Sequence, residues 1–480
     1  MNIYQRRALF RRRNDSNVYR MFFWIVLILG GIWLVRSLNN GDIKTPFEAT
    51  PTPTRYASSY ALEGDAQFTA GELDAAITAY REAVKVDPNN AQVLAQLARI
   101  QTYSSAMKVK DVDKKIRLAE ALDSINQAVA LAPDDSKVQG IRAFVLDWNA
   151  NPNLIDEREA QSFLNQAETA AVRAIQLDKD NTLAVAFYAE ILVDQQKWEK
   201  AEQNIDQALA ADSSLMDVHR VHAYVLESLG QYSLAIEAYD RAIDITPNLT
   251  FLYLYAGANY RRLAFDSPNE EVQTQLYEKS LQYFAQTAQI NAQLRIDDPV
   301  PYLSIAKTYS QMGQFFIAIR NVQKTLEFEP SNPVFYGELG VLYHKNRNYE
   351  TGILALECAV RGCTAEQSCP ARGDCGPNDV AADVAGLELS SSTVYYYDIY
   401  ASELAALSTP KVNYCPRALE IASEIEASEF DNDPNIAADV VVVRDICTFS
   451  SEELNSSADA TATIVPVIID STSPTPTATP

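Results

Sequence analysis

From Met216 to Leu249 apolar residues recur every three or four positions. Val218, Val221, Val225, Leu226 and Leu229 form one stripe; Leu234, Ala235, Ile236, Ala238, Tyr239, Ala242, Ile243 and Ile245 form a second. That period is helical, so the stretch predicts two amphipathic helices. Gly230 separates them and Pro247 closes the second. Glycine admits the positive φ that ends a helix, and proline cannot continue one. Small residues stand where the two helices touch: Ala223 in the first, Ala235 and Ala242 in the second. A methyl side chain lets two helix axes approach closely.

This unit resembles a tetratricopeptide repeat, a helix-turn-helix unit of 34 residues. The resemblance rests on Ala223 in the eighth place, Leu226 in the eleventh, Ala235 in the twentieth, Tyr239 in the twenty-fourth, Ala242 in the twenty-seventh and Pro247 in the thirty-second. Related units precede and follow it. Ala57 to Asn90 carries Gly64, Ala76, Tyr80, Ala83 and Pro88. The second unit has Leu97, Ala98, Ala121, Ile125, Ala128 and Pro133, with a longer middle. The third has Ala143, Ala167, Ala171 and Ala174, with an insertion at 149–153. Thr182 to Leu215 is regular; the sixth unit starts at Thr250 and is interrupted around Phe265 to Gln275. The seventh has Ala306, Gly313, Ala318 and Pro330, and the eighth Gly340, Gly352 and Ala359. Eight units thus cover 57–364.

The resemblance implies an all-α fold, a right-handed α-solenoid of helix hairpins. A lone hairpin leaves its apolar face wet, and stacking buries it. Ala76, Ala201, Ala235 and Ala318 are therefore expected inside.

The two ends read differently. Residues 1–20 are basic, and an uncharged run follows from Met21 to Val35. Fifteen helical residues span roughly 22 Å, against a hydrocarbon core of about 30 Å. Extension over 21–38 closes most of that gap if Arg36 snorkels. This predicts one transmembrane signal anchor with the N-terminus cytoplasmic and the repeats extracytoplasmic, at the cell surface or in the periplasm. A cleaved signal peptide and a buried core helix are the rival readings. Residues 39–56 read as a Pro/Thr-rich linker, and 451–480 as a disordered Ser/Thr/Pro tail.

All six cysteines, Cys358, Cys363, Cys369, Cys375, Cys415 and Cys447, lie late in the chain. An even count on an exported chain predicts disulfides. Local pairs Cys358–Cys363 and Cys369–Cys375, with Cys415–Cys447 joining two late helices, are favoured among the possible pairings. A zinc site is the alternative, although the spacings lack the usual knuckle. Residues 365–392 read as a Cys-rich loop, and 393–450 as a divergent repeat-like pair with a capping helix from Asp433 to Cys447.

Charge narrows the partners. The net charge is −23, with seven Arg against one Asp in residues 1–36. The acidic remainder argues against nucleic acid. No phosphate loop, HExxH or GxSxG motif is present, so no enzyme, cofactor or metal is expected. His219 and His222 share a helical face and read as packing residues rather than ligands.

The family's concave wall comes mainly from the second, fifth, ninth, twelfth and thirteenth places of the first helices. In the later units these are Arg220, Tyr224, Phe251, Leu254, Ala258, Arg261, Arg262, Leu303, Lys307, Val334, Val341, His344 and Lys345. In the earlier units they are Asp65, Phe68, Arg99, Tyr103, Phe144, Asp147, Trp148, Glu190 and Asp194. The hypothesis is that Arg220, Arg261, Arg262, Lys307 and Lys345 attract an acidic protein or peptide segment, while Tyr224, Phe251 and Leu254 anchor it. A scatter of surface cations is the plain alternative. The expected function is a membrane-anchored interaction scaffold. A surface adhesion role, or an accessory subunit of an envelope enzyme complex, are the other readings.

Overall fold

The computed structural model describes residues 17–39, 55–108, 110–373, 375–376 and 379–457. The basic terminus, the linker and the tail proposed from sequence lie largely outside them. The chain divides into two compact units, 1–56 and 57–480.

In the first unit, helix α1 (Val18–Asn39) presents its apolar side chains outward. Its stretch Val18–Ser37 is long and apolar enough to cross a membrane.

The second unit is an α-solenoid of successive helical pairs. They are α2 (Ala57–Thr69) with α3 (Leu73–Val86), α4 (Ala91–Ala106) with α5 (Asp111–Leu131), α6 (Ser136–Asn149) with α7 (Glu157–Leu177), and α8 (Thr182–Asp194) with α9 (Trp198–Ala211). Next come α10 (Met216–Ser228) with α11 (Tyr232–Ile245), α12 (Thr250–Asp266) with α13 (Glu270–Leu294), α14 (Val300–Gln311) with α15 (Phe315–Phe328), and α16 (Pro333–Lys345) with α17 (Tyr349–Val360). Side chains of Asn90, Asp135, Asp156, Asn181, Asn269 and Asn332 cap first-turn N–H groups of the helices they precede. Such caps satisfy donors that the helix itself cannot.

Ala76, Ala201, Ala235 and Ala318 are fully buried. The eighth place shows why small residues recur there. A Cβ on Gly64, Gly257 or Gly340 would stand 2.3, 2.6 or 2.4 Å from the side chain of Tyr80, Phe284 or Leu356 on the paired helix. The units with insertions have longer second helices, 21 residues in α5 and α7 and 25 in α13 against 14 in α3, α9 and α11, and the insertion at 149–153 also lengthens the connection between α6 and α7.

Beyond α17 the pattern changes. Strand β1 (Gly362–Cys363), helix α18 (Ala365–Ala371) and strand β2 (Val384–Ala385) follow, and β1 pairs antiparallel with β2. The Cys-rich segment is therefore not plain loop; a helical turn and a short ribbon give its backbone groups partners. Helices α19 (Val394–Ala406) and α20 (Cys415–Glu426) pack as a further pair. A 3-10 turn at Glu429–Asn432 leads into α21 (Pro434–Ser457). This last helix runs past Ser450, where the sequence reading placed a disordered tail. Three disulfides join Cys358 to Cys363, Cys369 to Cys375, and Cys415 to Cys447. The third ties α20 to α21, the helix that covers the apolar end of the array.

One feature of the array has no local signal. One core cluster runs along the inner side of the early array from Leu73 to Ile290, while α5 and α7 pack against their neighbours in two smaller clusters around Ala121 and Ala167. Within the larger cluster α4 reaches across to later helices. Arg99 pairs with Asp217 of α10, the Tyr103 ring stacks on Phe251 of α12 at 5.6 Å, and Thr250 Oγ1 lies 3.5 Å from Met107 Sδ. The turn at Gly71 sits against Asn248. The early array thus closes on itself.

Candidate binding groove

First-helix residues line the inner side of both parts of the array, with opposite outcomes. In the early part they satisfy one another. Arg220 is buried and holds Glu190 through two hydrogen bonds of 2.6 Å, and its Nε donates to Tyr103 Oη at 3.2 Å. Its guanidinium lies over the rings of Tyr103, Phe144 and Trp148. Trp148 Nε1 donates to Glu190 at 3.1 Å. Asp217 accepts from Arg99 and from Tyr103. Burial works to raise its pKa, but the Arg99 charge and these hydrogen bonds outweigh it and hold Asp217 below the ordinary carboxylate range. Buried charges survive only when paired in this way.

The later groove is different. Arg261, Lys307, Gln311, Glu338, Val341 and Lys345 line a cavity of about 220 Å³ between α12, α14 and α16. Lys307 meets Glu338 at 3.2 Å, and Tyr396 Oη lies 3.3 Å from the same carboxylate. Arg261 donates to the Ser304 carbonyl at 3.1 Å and covers the Phe284 ring. Burial pulls its pKa down, since a half-enclosed guanidinium loses hydration. Among the described residues neither Arg261 nor Lys345 meets a carboxylate within ion-pair distance. Three cations thus face one cavity with a single carboxylate, Glu338, lining it.

The residues nominated from sequence divide accordingly. Arg261, Lys307 and Lys345 come together. Arg220 and Phe251 do not line an open groove; both are buried in the closed early interior, because α4 fills the space they would have faced. Tyr224 is half-buried, with its hydroxyl donating to Asp194 at 2.5 Å. Leu254 is half-buried. Arg262 points away to Asp266 at 3.3 Å. His344 Nδ1 lies 3.1 Å from Glu403 of α19, beside the cavity rather than in its lining. The sequence reading missed Asp217 and Glu338. Asp217 stands in the second place of its unit, so the rule that nominated Arg220 reaches it too. Glu338 has no such signal, as it falls outside the groove places. Among the described residues no group of three or more His, Cys, Asp or Glu is placed to hold a metal ion.

Comparison with known proteins agrees with this architecture. Residues 64–101 match a family model described as TPR repeat, and residues 189–250 one described as Tetratricopeptide repeat. No curated protein matches the chain. Solved structures similar to it include a tetratricopeptide-repeat protein of Thermus thermophilus, at 20% identity over 42% of this chain and 98% of that one, TM-score 0.35. The human IFIT1 dimer is similar at 14% identity over 83% and 92%, TM-score 0.49. A tetratricopeptide-repeat protein from Parabacteroides merdae is similar at 14% identity over 60% and 98%, TM-score 0.33.

Proposed function

For a chain that is a tetratricopeptide-repeat protein, we propose a membrane-anchored scaffold that binds an acidic segment of a partner protein in its later groove. Repeat arrays of this kind serve as protein-interaction scaffolds. The observation that carries the finer reading is the cavity where Arg261, Lys307 and Lys345 converge against one carboxylate. Such an excess of cations on a strongly acidic chain favours a carboxylate-bearing ligand and steers its approach. Val341 and Leu342 supply the apolar contact of the same wall. Helix α1 supports anchoring, and three disulfides support an oxidising compartment for the array.

Crosslinking in intact cells, followed by identification of the attached protein, tests the reading. Lys307→Glu with Lys345→Glu is expected to lower partner recovery at least about tenfold at low salt. Unchanged recovery would remove the groove from the function. Recovery of the full-length chain in the soluble fraction would remove the anchor.

A further inference from the structure

A second polar cluster lies at the inner wall of α6, α8 and α10, apart from the later groove. It contains Asp147, Glu190 and Asp194, with Trp148 and Tyr224 beside them. The donors at this place are already committed. Both Arg220 Nη groups and the Trp148 N–H serve Glu190, and the Tyr224 hydroxyl serves Asp194. Asp147 is 4% exposed, and its Oδ1 has no hydrogen-bond partner. Its carboxyl also interacts directly with that of Asp194. Asp194, in contrast, keeps one edge at the surface while its carboxyl is hemmed in by Tyr224 and the cluster. The cluster therefore sets three carboxyl groups against the internal cation Arg220, whose Nη hydrogen bonds go to Glu190, and it reaches the surface at Asp194.

We propose that Asp147 and Asp194 form a binding site for an organic cation, the ammonium or guanidinium of a lysine or arginine side chain or of a polyamine. A protonated amine would give Oδ1 of Asp147 the donor it lacks and would take the place of the proton that the two carboxyl groups otherwise share. Trp148 is half-buried next to them and can offer its ring to the same charge. A metal ion fits less well, because no set of three ligating side chains is arranged for one among the described residues. The titration of the pair agrees. Burial, then the charges of Asp194 and Glu190, raises Asp147 well above the ordinary carboxylate value. Asp194 is pushed up to about 6 by burial and by Glu190, against the opposing hydrogen bonds from Tyr224 and Asp147 and the Arg220 charge. A bound cation would return both to the ionised form. This site stands independently of the later groove.

The test uses the full-length chain in detergent, with pentalysine, spermidine and Ca²⁺ as separate probes, followed by calorimetry. Saturable binding of pentalysine or spermidine is expected at pH 7.5, weakening as pH falls through about 6 as Asp194 takes up a proton. Binding of pentalysine assigns the site to protein side chains, and binding of spermidine alone assigns it to free polyamines. Asp194→Asn is expected to weaken binding about tenfold or more. Glu199→Gln with Glu202→Gln removes acidic charge from the exposed side of α9 and is expected to leave binding unchanged. Asp147→Asn should abolish binding without lowering the melting temperature of the unliganded chain, since a neutral amide of the same shape replaces a buried acid that holds its proton and can still donate to Asp194. Equal weakening by the α9 control and by Asp194→Asn, or tighter binding of Ca²⁺ than of either organic cation, would overturn the proposal.

Discussion

The early and late parts of the array use the same helical pair and treat its inner face in opposite ways. From α2 to α13 the inner positions hold Phe68, Tyr103, Phe144, Phe187 and Phe251, together with the paired Arg99–Asp217 and Arg220–Glu190. That face is closed by its own side chains. From α14 onward the inner positions hold Lys307 and Lys345, no cluster among the described residues reaches across distant helices as the early one does, and disulfides appear. A repeat thus fixes how neighbours stack, while the identity of a few inner residues decides whether the face is filled by its own side chains or left as a cavity. The difference can be tested by breaking each part with its own lever.

The largest effect is expected at Arg220. Arg220→Met leaves Glu190 buried with only the Trp148 N–H as partner. Removing one member of a buried ion pair typically costs about 3–5 kcal/mol. The urea midpoint of the early part should fall accordingly, and Arg220→Met combined with Glu190→Gln should recover most of the loss, because no buried charge remains. A change under about 1 kcal/mol in the single variant would show that the early interior is hydrated and open, as the later groove is.

Arg220 also marks where sequence reading stops. Helical period, the alanines at recurrent places and the capping Asn and Asp residues are local signals, and they are enough to predict the α-solenoid. The closure of α4 onto α10 and α12 depends on partners more than a hundred residues apart, such as Tyr103 with Asp217. No periodic pattern carries that information. A place-by-place rule assumes an open groove, so it put Arg220 and Phe251 with Arg261 and Lys307. The same assumption read Asp147 and Asp194 as ordinary wall positions; the missing donor at Asp147 is visible only once the neighbouring side chains are in position.

The second lever belongs to the late part. Cys415 and Cys447 are 32 residues apart. Closing a loop of that length removes unfolded-chain entropy worth roughly 3–4 kcal/mol in the simplest treatment. Cys415→Ser with Cys447→Ser, or reduction of the native chain, should release α21 and expose the apolar end of α19 and α20. Hydrogen exchange should then rise in 393–457 and stay unchanged in 73–250, which contain no cysteine. Equal loosening of both parts would mean that the array melts as one body and that the two regions are not separable.

The smallest expected effect gives the sharpest reading of the closure itself. Gly71 and Gly230 occupy the same turn of their units with φ of 80° and 74°. Gln196 and Arg347, each with φ of 59°, show that a side chain can occupy this turn. Left-handed backbone costs a residue with a side chain roughly 1–2 kcal/mol. Gly230→Ala has open space around the new Cβ and should cost only that. At Gly71 the Cβ would stand 2.3 Å from the Asn248 carbonyl oxygen, a backbone atom that cannot rotate away. Gly71→Ala must therefore also push the first unit off the turn before α12. Its excess loss over Gly230→Ala, measured by urea midpoints, isolates what the contact between the ends of the closed region contributes. A clear excess, with faster exchange in α2 and α3, is expected; equal losses would mean that the first unit does not rest on Asn248 in solution and that the early interior has an open side.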